Sequence, residues 1–256
     1  MTQNQEGRAL RDKLIASGFY AEKQLHSKFA VLSWSHSKRF EVAREMLIPY
    51  ASGSLLDYGC GDGTLIAGNL DLFPKATGLD PDPKTISNLR ERFAEIPNVN
   101  FIEKLTDEGP FDVICCLEVF EHCLPETQKR ILRDLADNTK RNGHVLISVP
   151  IEVGIPLLIK QLGRHAASFL KIKHYQYMET YSFWMFLRAL FATRNTVFER
   201  TVYAGGQIGH KGFNWRSFQK LVEEHFKISK IKFSPLHFLG AQFCSQVFFL
   251  CEGKKN

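Results

Sequence analysis

The sequence predicts an α/β protein built on a doubly wound, mostly parallel sheet with helices on both faces. Three observations predict it. Apolar runs of strand length alternate with segments of helical spacing from residue 41 to residue 150. The run "FDVICCLEVF" (111–120) is apolar almost throughout, as expected of a strand covered on both faces. The turn "GCGDG" (59–63) directly follows a short apolar strand, where parallel sheets place their ligands.

The elements follow in order. "EVAREMLIPYA" (41–51) has helical periodicity, and "SLLDYG" (54–59) is a strand that ends in glycine. "TLIAGNLDLF" (64–73) reads as a helix and "KATGLD" (75–80) as a strand that ends in an acid. "PKTISNLRERFAEI" (83–96) is helical, with Pro83 suited to its first turn. "NVNFIEKL" (98–105) is a strand, 111–120 the next, "TQKRILRDLADNTK" (127–140) a helix and "GHVLISVP" (143–150) a strand. Strands separated by single helices imply parallel pairing with right-handed crossovers.

Composition narrows the class. The chain has 256 residues, 44% of them hydrophobic, enough for one large core with an inserted subdomain. Its start is polar and charged, without the apolar core of a signal peptide, and no apolar run is long enough to cross a bilayer. The six cysteines form no C-x-x-C pair, and most sit in strand-like runs. Buried, reduced thiols in a cytoplasmic protein are the expectation. Residues 1–150 hold 18 Lys and Arg against 21 Asp and Glu, whereas 151–256 hold 15 against 6. That asymmetry points to an anionic partner near the C-terminal part, although solubility alone accounts for most basic surfaces. Without an RNA-binding signature or zinc-finger spacing, nucleic acid is not the expected partner.

The glycine turn carries the chemistry. Gly59, Gly61 and Gly63 let a ligand approach the backbone, and Asp80 ends the second strand where it can accept hydrogen bonds from ribose hydroxyls. A dinucleotide needs G-x-G-x-x-G. The spacing here is G-x-G-x-G, and Asp62 within it would repel a diphosphate. A nicotinamide-dependent oxidoreductase is therefore disfavoured, and a ribose ligand with a cationic or zwitterionic end fits better. Asp80 has a competing use as the N-cap of the helix at 83, for which Asp82 is the rival. Cys60 and Cys116 read as small fillers, and Cys115 and Cys116 point to opposite faces of their strand.

"LLDYGCGDGT" (55–64) resembles motif I of the class I S-adenosylmethionine-dependent methyltransferases. "GLDPDP" (78–83) is similar to their second motif. "FDVICCLEVFEH" (111–122) and "LADNTKRNGHVLISVP" (135–150) resemble segments of the subgroup that includes ubiquinone-type O-methyltransferases. The resemblance covers residues 40–150. It implies a seven-stranded Rossmann-like sheet and S-adenosyl-L-methionine as cofactor. It implies that Asp57, Gly59, Cys60, Gly61 and Gly63 hold the methionine end. Asp80 binds the ribose, Pro81 or Asp82 lies near the adenine, and Cys116, Leu117 and Glu118 border the sulfonium and its methyl group.

The resemblance also divides the chain: an N-terminal helical cap (1–50), the cofactor-binding core (51–150), a helical insertion (151–210), and a C-terminal helix with an antiparallel hairpin (211–256). In the cap, Trp34, His36 and Arg39 are candidates to line the site, with a plain surface helix as the alternative. The insertion reads as a helical lid over a substrate cleft, with Lys160, Arg164, Lys171, Lys173 and Arg188 among its apolar residues. A plain packing subdomain and a basic amphipathic surface for membrane or lipid-linked substrate are the other readings. The expected acceptor is a small molecule, sugar or lipid-linked group.

Methyl transfer needs in-line alignment, exclusion of water and, for an oxygen acceptor, a base within hydrogen-bond reach. His122 and His210 are the candidate bases. Structural histidines are the bland alternative for both. Glu118, Glu121 and His122 form E-x-x-E-H, which resembles the metal-binding motif of small-RNA 3′-end methyltransferases, with His210 as a fourth ligand. Because the same string is widespread in metal-free relatives, no catalytic metal is expected. A metal-dependent RNA 3′-end 2′-O-methyltransferase and an inactive methyltransferase-fold binding protein remain the alternatives.

Overall fold

In the computed structural model, residues 3–18, 30–105, 108–169, 181–203 and 208–253 are described. Helices α1 (Gln3–Ala16) and α2 (Ala30–Leu47) come first. The core then runs β1 (Ser54–Tyr58), α3 (Thr64–Gly68), β2 (Lys75–Leu79), α4 (Pro83–Arg92), β3 (Val99–Ile102), β4 (Phe111–Leu117), α5 (Pro125–Asp137) and β5 (Thr139–Pro150). Helices α6 (Ile155–Phe169), α7 (Phe183–Leu190) and α8 (Trp215–His225) lead to β6 (Phe226–Ser234) and β7 (Gln246–Gly253).

The seven strands form one sheet in the order β3-β2-β1-β4-β5-β7-β6. Strands β1 to β5 are mutually parallel, and β7 is antiparallel to both β5 and β6. The order reverses between β1 and β4, so a crevice opens at their carboxyl ends. The alternation along β4 sends Cys115 into the core on one face of the sheet and Cys116 into the core on the other. All six thiols are unpaired.

Several elements are shorter or longer than their patterns suggest. The helix expected over 64–73 stops at Gly68, where Asn69 donates its side-chain amide to Leu65 O at 2.8 Å and the chain turns. Helix α2 extends well upstream of residue 41. Strand β5 begins at Thr139, taking over the end of the expected helix. Among the described residues, the insertion supplies two helices, α6 and α7; beyond them, residues 191–203 run irregularly apart from a bridge between Val202 and Ile208. Among the described residues, no helix is long and apolar enough to cross a membrane.

Phe120, in the short 3-10 turn after β4, is fully buried and packs on Phe218 of α8 with ring centroids 4.6 Å apart. This contact fixes the turn that carries Glu121 and His122. Phe120→Ala is expected to cost about 3–5 kcal/mol, from lost transfer energy and the cavity left behind. Urea titration followed by circular dichroism reads this as a lower midpoint.

Candidate active site

The site lies at the carboxyl edge of β1, β2, β4 and β5. The turn after β1 holds Gly59, Gly61 and Gly63, all at positive φ. A Cβ on Gly59 would stand 2.5 Å from Val119 Cγ2, so this glycine lets the loops after β1 and β4 touch. A Cβ on Gly61 would meet nothing within 4 Å, so this backbone faces open space and forms a cradle. Cys60 contributes backbone only; its N donates to Leu79 O at 2.9 Å and its thiol is buried in the core. Asp62 turns into the start of α3, where Oδ1 accepts from Thr64 N at 3.2 Å and Thr64 Oγ1 at 2.7 Å.

The rivalry between Asp80 and Asp82 is resolved by geometry. Asp82 caps α4, accepting from Lys84 N and Thr85 N, each at 3.2 Å. Asp80 is left at the end of β2, where Oδ2 accepts from Gly61 N at 3.2 Å and Oδ1 from Asp82 N at 3.0 Å. It thereby ties the glycine turn to β2 and keeps acceptor capacity at the cradle. Pro81 is exposed beside it.

Asp57 is 3% exposed at the end of β1. Burial, with Asp62 and Asp80 nearby, pushes its carboxyl up to about 8. A cationic ligand group beside it would let it ionise.

The strand ends after β4 and β5 supply the second half. Leu117 is half-buried at the end of β4, whereas the Cys116 side chain is fully buried in the core and borders the site through its backbone alone. Glu118 has φ +56. Its carboxylate pairs with Arg39 of α2 at 3.2 Å and accepts from Ser148 Oγ at 3.0 Å and Gln246 Nε2 at 3.3 Å. Arg39, a candidate from the cap, is thus built into the site. Trp34 is partly exposed, and the His36 side chain lies outside the described residues.

The two candidate histidines meet, with ring centroids 5.0 Å apart. His122 Nδ1 lies 3.0 Å from Ile208 O. A carbonyl only accepts, so Nδ1 carries the proton and Nε2 of the neutral ring offers a lone pair. Burial holds the His122 pKa below its ordinary value. His210 Nδ1 lies 3.4 Å from Glu152 Oε1, which orients that ring. Burial alone would raise the Glu152 carboxyl, but Lys160 and His210 together outweigh it and hold it at about 2.

Glu152 escaped the sequence reading, although a single acid within the apolar "SVPIEVGIP" is a visible signal. Lys160, one of the basic residues of the insertion, donates Nζ to Glu152 Oε1 at 2.7 Å and to Ile151 O at 3.0 Å. Lys171 and Lys173 lie outside the described residues, as does the side chain of Arg164.

Glu121 is fully buried, and among the described residues neither of its carboxylate oxygens has a hydrogen-bond partner, although His122 Nε2 lies 3.9 Å from Oε1. Burial and then Glu118 push its carboxyl well above the usual range. Glu121, His122 and His210 each offer one ligand atom, all within 4.8 Å of one another. Of the four ligands that E-x-x-E-H and His210 would supply, three converge, while Glu118 is engaged by Arg39, Ser148 and Gln246.

Residues 35–188, more than half the chain, match a family described as a methyltransferase domain. The chain belongs to this family. The family's cofactor is S-adenosylmethionine, and the Gly61 cradle, Asp80 and the cation-seeking Asp57 fit it. Among curated proteins, the chain is similar to the ubiquinone biosynthesis O-methyltransferase of Albidiferax ferrireducens, 33% identical over 110 residues, covering 40% of this chain and 43% of that protein. It is also similar to the mitochondrial protein of the same name from Schizosaccharomyces pombe, 28% identical over 107 residues, covering 39% and 38%. The match therefore spans less than half the length of these relatives. Among solved structures, the PH0226 protein of Pyrococcus horikoshii shares the fold with TM-score 0.58, at 14% identity over 92% of this chain and 96% of that one. The N-methyltransferase NodS of Bradyrhizobium japonicum, solved with S-adenosylhomocysteine, shares it with TM-score 0.55, at 10% identity over 97% and 98%.

Asp57 gives this methyltransferase-family chain a measurable signature. Protonated at neutral pH in the free protein, it is expected to lose its proton when a ligand ammonium sits beside it. S-Adenosylhomocysteine should then bind more tightly as pH rises towards about 8 and level off above it. Calorimetry at pH 7 in two buffers of different ionisation enthalpy should report proton release, abolished in Asp57→Asn. Buffer-independent heat would contradict the assignment.

Proposed function

We propose that the protein transfers a methyl group from S-adenosylmethionine to a hydroxyl oxygen of a small-molecule, sugar or lipid-linked acceptor. The observation that carries the reading is the meeting of His122 and His210 beside the end of β4, with His122 Nδ1 held by Ile208 O and a lone pair left on its Nε2. The similarity to ubiquinone biosynthesis O-methyltransferases supports oxygen as the acceptor atom. Leu158, Ile159 and Leu162 of α6 and Phe183 and Trp184 of α7 are exposed. These faces support an apolar or lipid-linked acceptor and contact with a lipid surface.

The cofactor supplies an electrophilic methyl group on a sulfonium. The protein's residues do the rest. Asp80 and the glycine turn hold the ribose and methionine ends. Glu118, fixed by Arg39, Ser148 and Gln246, shapes the wall beside the methyl group. His122 or His210 accepts the acceptor's hydroxyl proton as the oxygen attacks. Glu152 acts as a positioning residue that orients the ring of His210.

A second reading is favoured by one observation, the buried Glu121 carboxylate without a hydrogen-bond partner among the described residues. Glu121, His122 and His210 would hold a divalent cation; two imidazoles and a carboxylate suit Zn²⁺ or Mn²⁺. That cation would supply charge for vicinal hydroxyls such as an RNA 3′ terminus.

One set of measurements separates the readings: formation of S-adenosylhomocysteine with a panel of catechol, phenol and sugar acceptors. On base catalysis, His122→Ala and His210→Ala each lower kcat by about a hundredfold or more, with S-adenosylhomocysteine affinity unchanged. Glu121→Gln stays active, EDTA leaves turnover intact, and protein purified without a histidine tag carries no stoichiometric divalent ion. Activity lost to a chelator, restored by Mn²⁺ and abolished in Glu121→Gln, would establish the cation reading instead.

A further inference from the structure

A groove of about 550 Å³ opens between α7 and the segment that follows it. It is lined by Trp184, Met185 and Arg188 of α7, by residues 198–201 and by Lys211. Its volume is that of a small-molecule site. Among the described residues, three cations line it, Arg188, Arg200 and Lys211, with one acid, Glu199.

Each cation is held in place. Arg188 donates Nη2 to Val197 O at 3.0 Å and lies over the Phe198 ring, 5.4 Å from its centroid. Arg200 donates Nη2 to the carbonyls of Glu121 and, at 2.8 Å, of Gly209, and it lies over Phe213. Lys211 Nζ sits 5.4 Å from the Tyr181 ring centroid. Like charges gathered in one groove repel each other, so fixed placement of three makes a ready receptor for an anion. The other wall is apolar: Met185 and the flat indole of Trp184, which is 78% exposed.

The groove is joined to the reacting edge of the sheet. Arg200 binds the carbonyl of Glu121, the residue before His122, and Lys211 follows His210. We propose that this groove is the acceptor's anion subsite. It takes an acceptor that carries a carboxylate or phosphate-class oxyanion on an aromatic or other apolar body. The oxyanion sits on Arg188, Arg200 and Lys211, the body lies on Trp184 and Met185, and the hydroxyl is brought beside His122 and His210. This rests on the reading of the histidine pair as the place where the acceptor reacts.

The test uses binding rather than turnover, so a failed catalytic reading does not disguise its outcome. The full chain is titrated by calorimetry, with and without saturating S-adenosylhomocysteine, using 2-naphthoate, 2-naphthyl phosphate and 2-naphthol. The two anions are expected to bind about tenfold or more tighter than the neutral naphthol, and to weaken as salt is raised. Which anion binds tighter identifies the oxyanion. Arg188→Gln and Lys211→Gln should each lower anion affinity severalfold, leaving naphthol affinity, S-adenosylhomocysteine affinity and Tm unchanged. Equal binding of naphthol and the anions, equal losses for all three probes in the variants, or no binding of either anion would overturn the proposal. Anion binding in the groove with full activity in His122→Ala and His210→Ala would instead sink the catalytic reading and keep the subsite.

Discussion

The parallel pairing of β1 with β4 is the constraint on which the site depends. It sets Leu55 against Val113, Leu56 against Ile114 and Asp57 against Cys115. With both strands pointing the same way, their loops emerge side by side, and Gly59 must lack a Cβ to admit Val119. The glycine turn, Asp80, Glu118 and the turn at 120–122 therefore share one edge. The pairing holds because β4 buries side chains on both faces, with Val113 and Cys115 in one core and Ile114 and Cys116 in the other. The carboxyl edge is then the place in the sheet left for polar chemistry.

That edge is crowded with buried acid, and the protein treats its four carboxyls differently. Glu118 is matched by Arg39 and two further donors, and Glu152 by Lys160 and His210. Removing one partner of such a buried pair leaves an uncompensated charge, which is costly. Burial pushes the carboxyls of Asp57 and Glu121 up, and the influence of Arg39 on Glu121 does not offset it. In chemical terms the first pair of acids is structural. Of the second pair, Asp57 lies at the glycine turn, where a cationic ligand end would let it ionise.

The alternating core and the cofactor turn were legible in the sequence because their signals are local. An apolar period of two, three glycines after a strand, and an acid at the next strand end each need only a few neighbouring residues. The E-x-x-E-H string was equally visible, but its use was not. Whether Glu118 faces a ligand or a protein cation depends on Arg39, far upstream, and on Gln246, far downstream. The approach of His210 to His122 crosses 88 positions of chain and depends on a loop held by Arg200. The pairing of Lys160 with Glu152 was not legible because Glu152 lies outside α6, before the turn that starts the helix. Helix ends shifted where one side chain decides them, as Asn69 does for α3.

The central claim is that this carboxyl edge binds S-adenosylmethionine, with Asp80 on its ribose. Calorimetric titration with S-adenosylhomocysteine of Asp80→Ala, with Asp82→Ala as the control that removes only a helix cap, tests it most directly. The account predicts a loss of about tenfold or more in Asp80→Ala, as charge-assisted hydrogen bonds to the ribose disappear, and little change in affinity for Asp82→Ala. Unaltered affinity in a folded Asp80→Ala variant, or equal losses in the two, would contradict it.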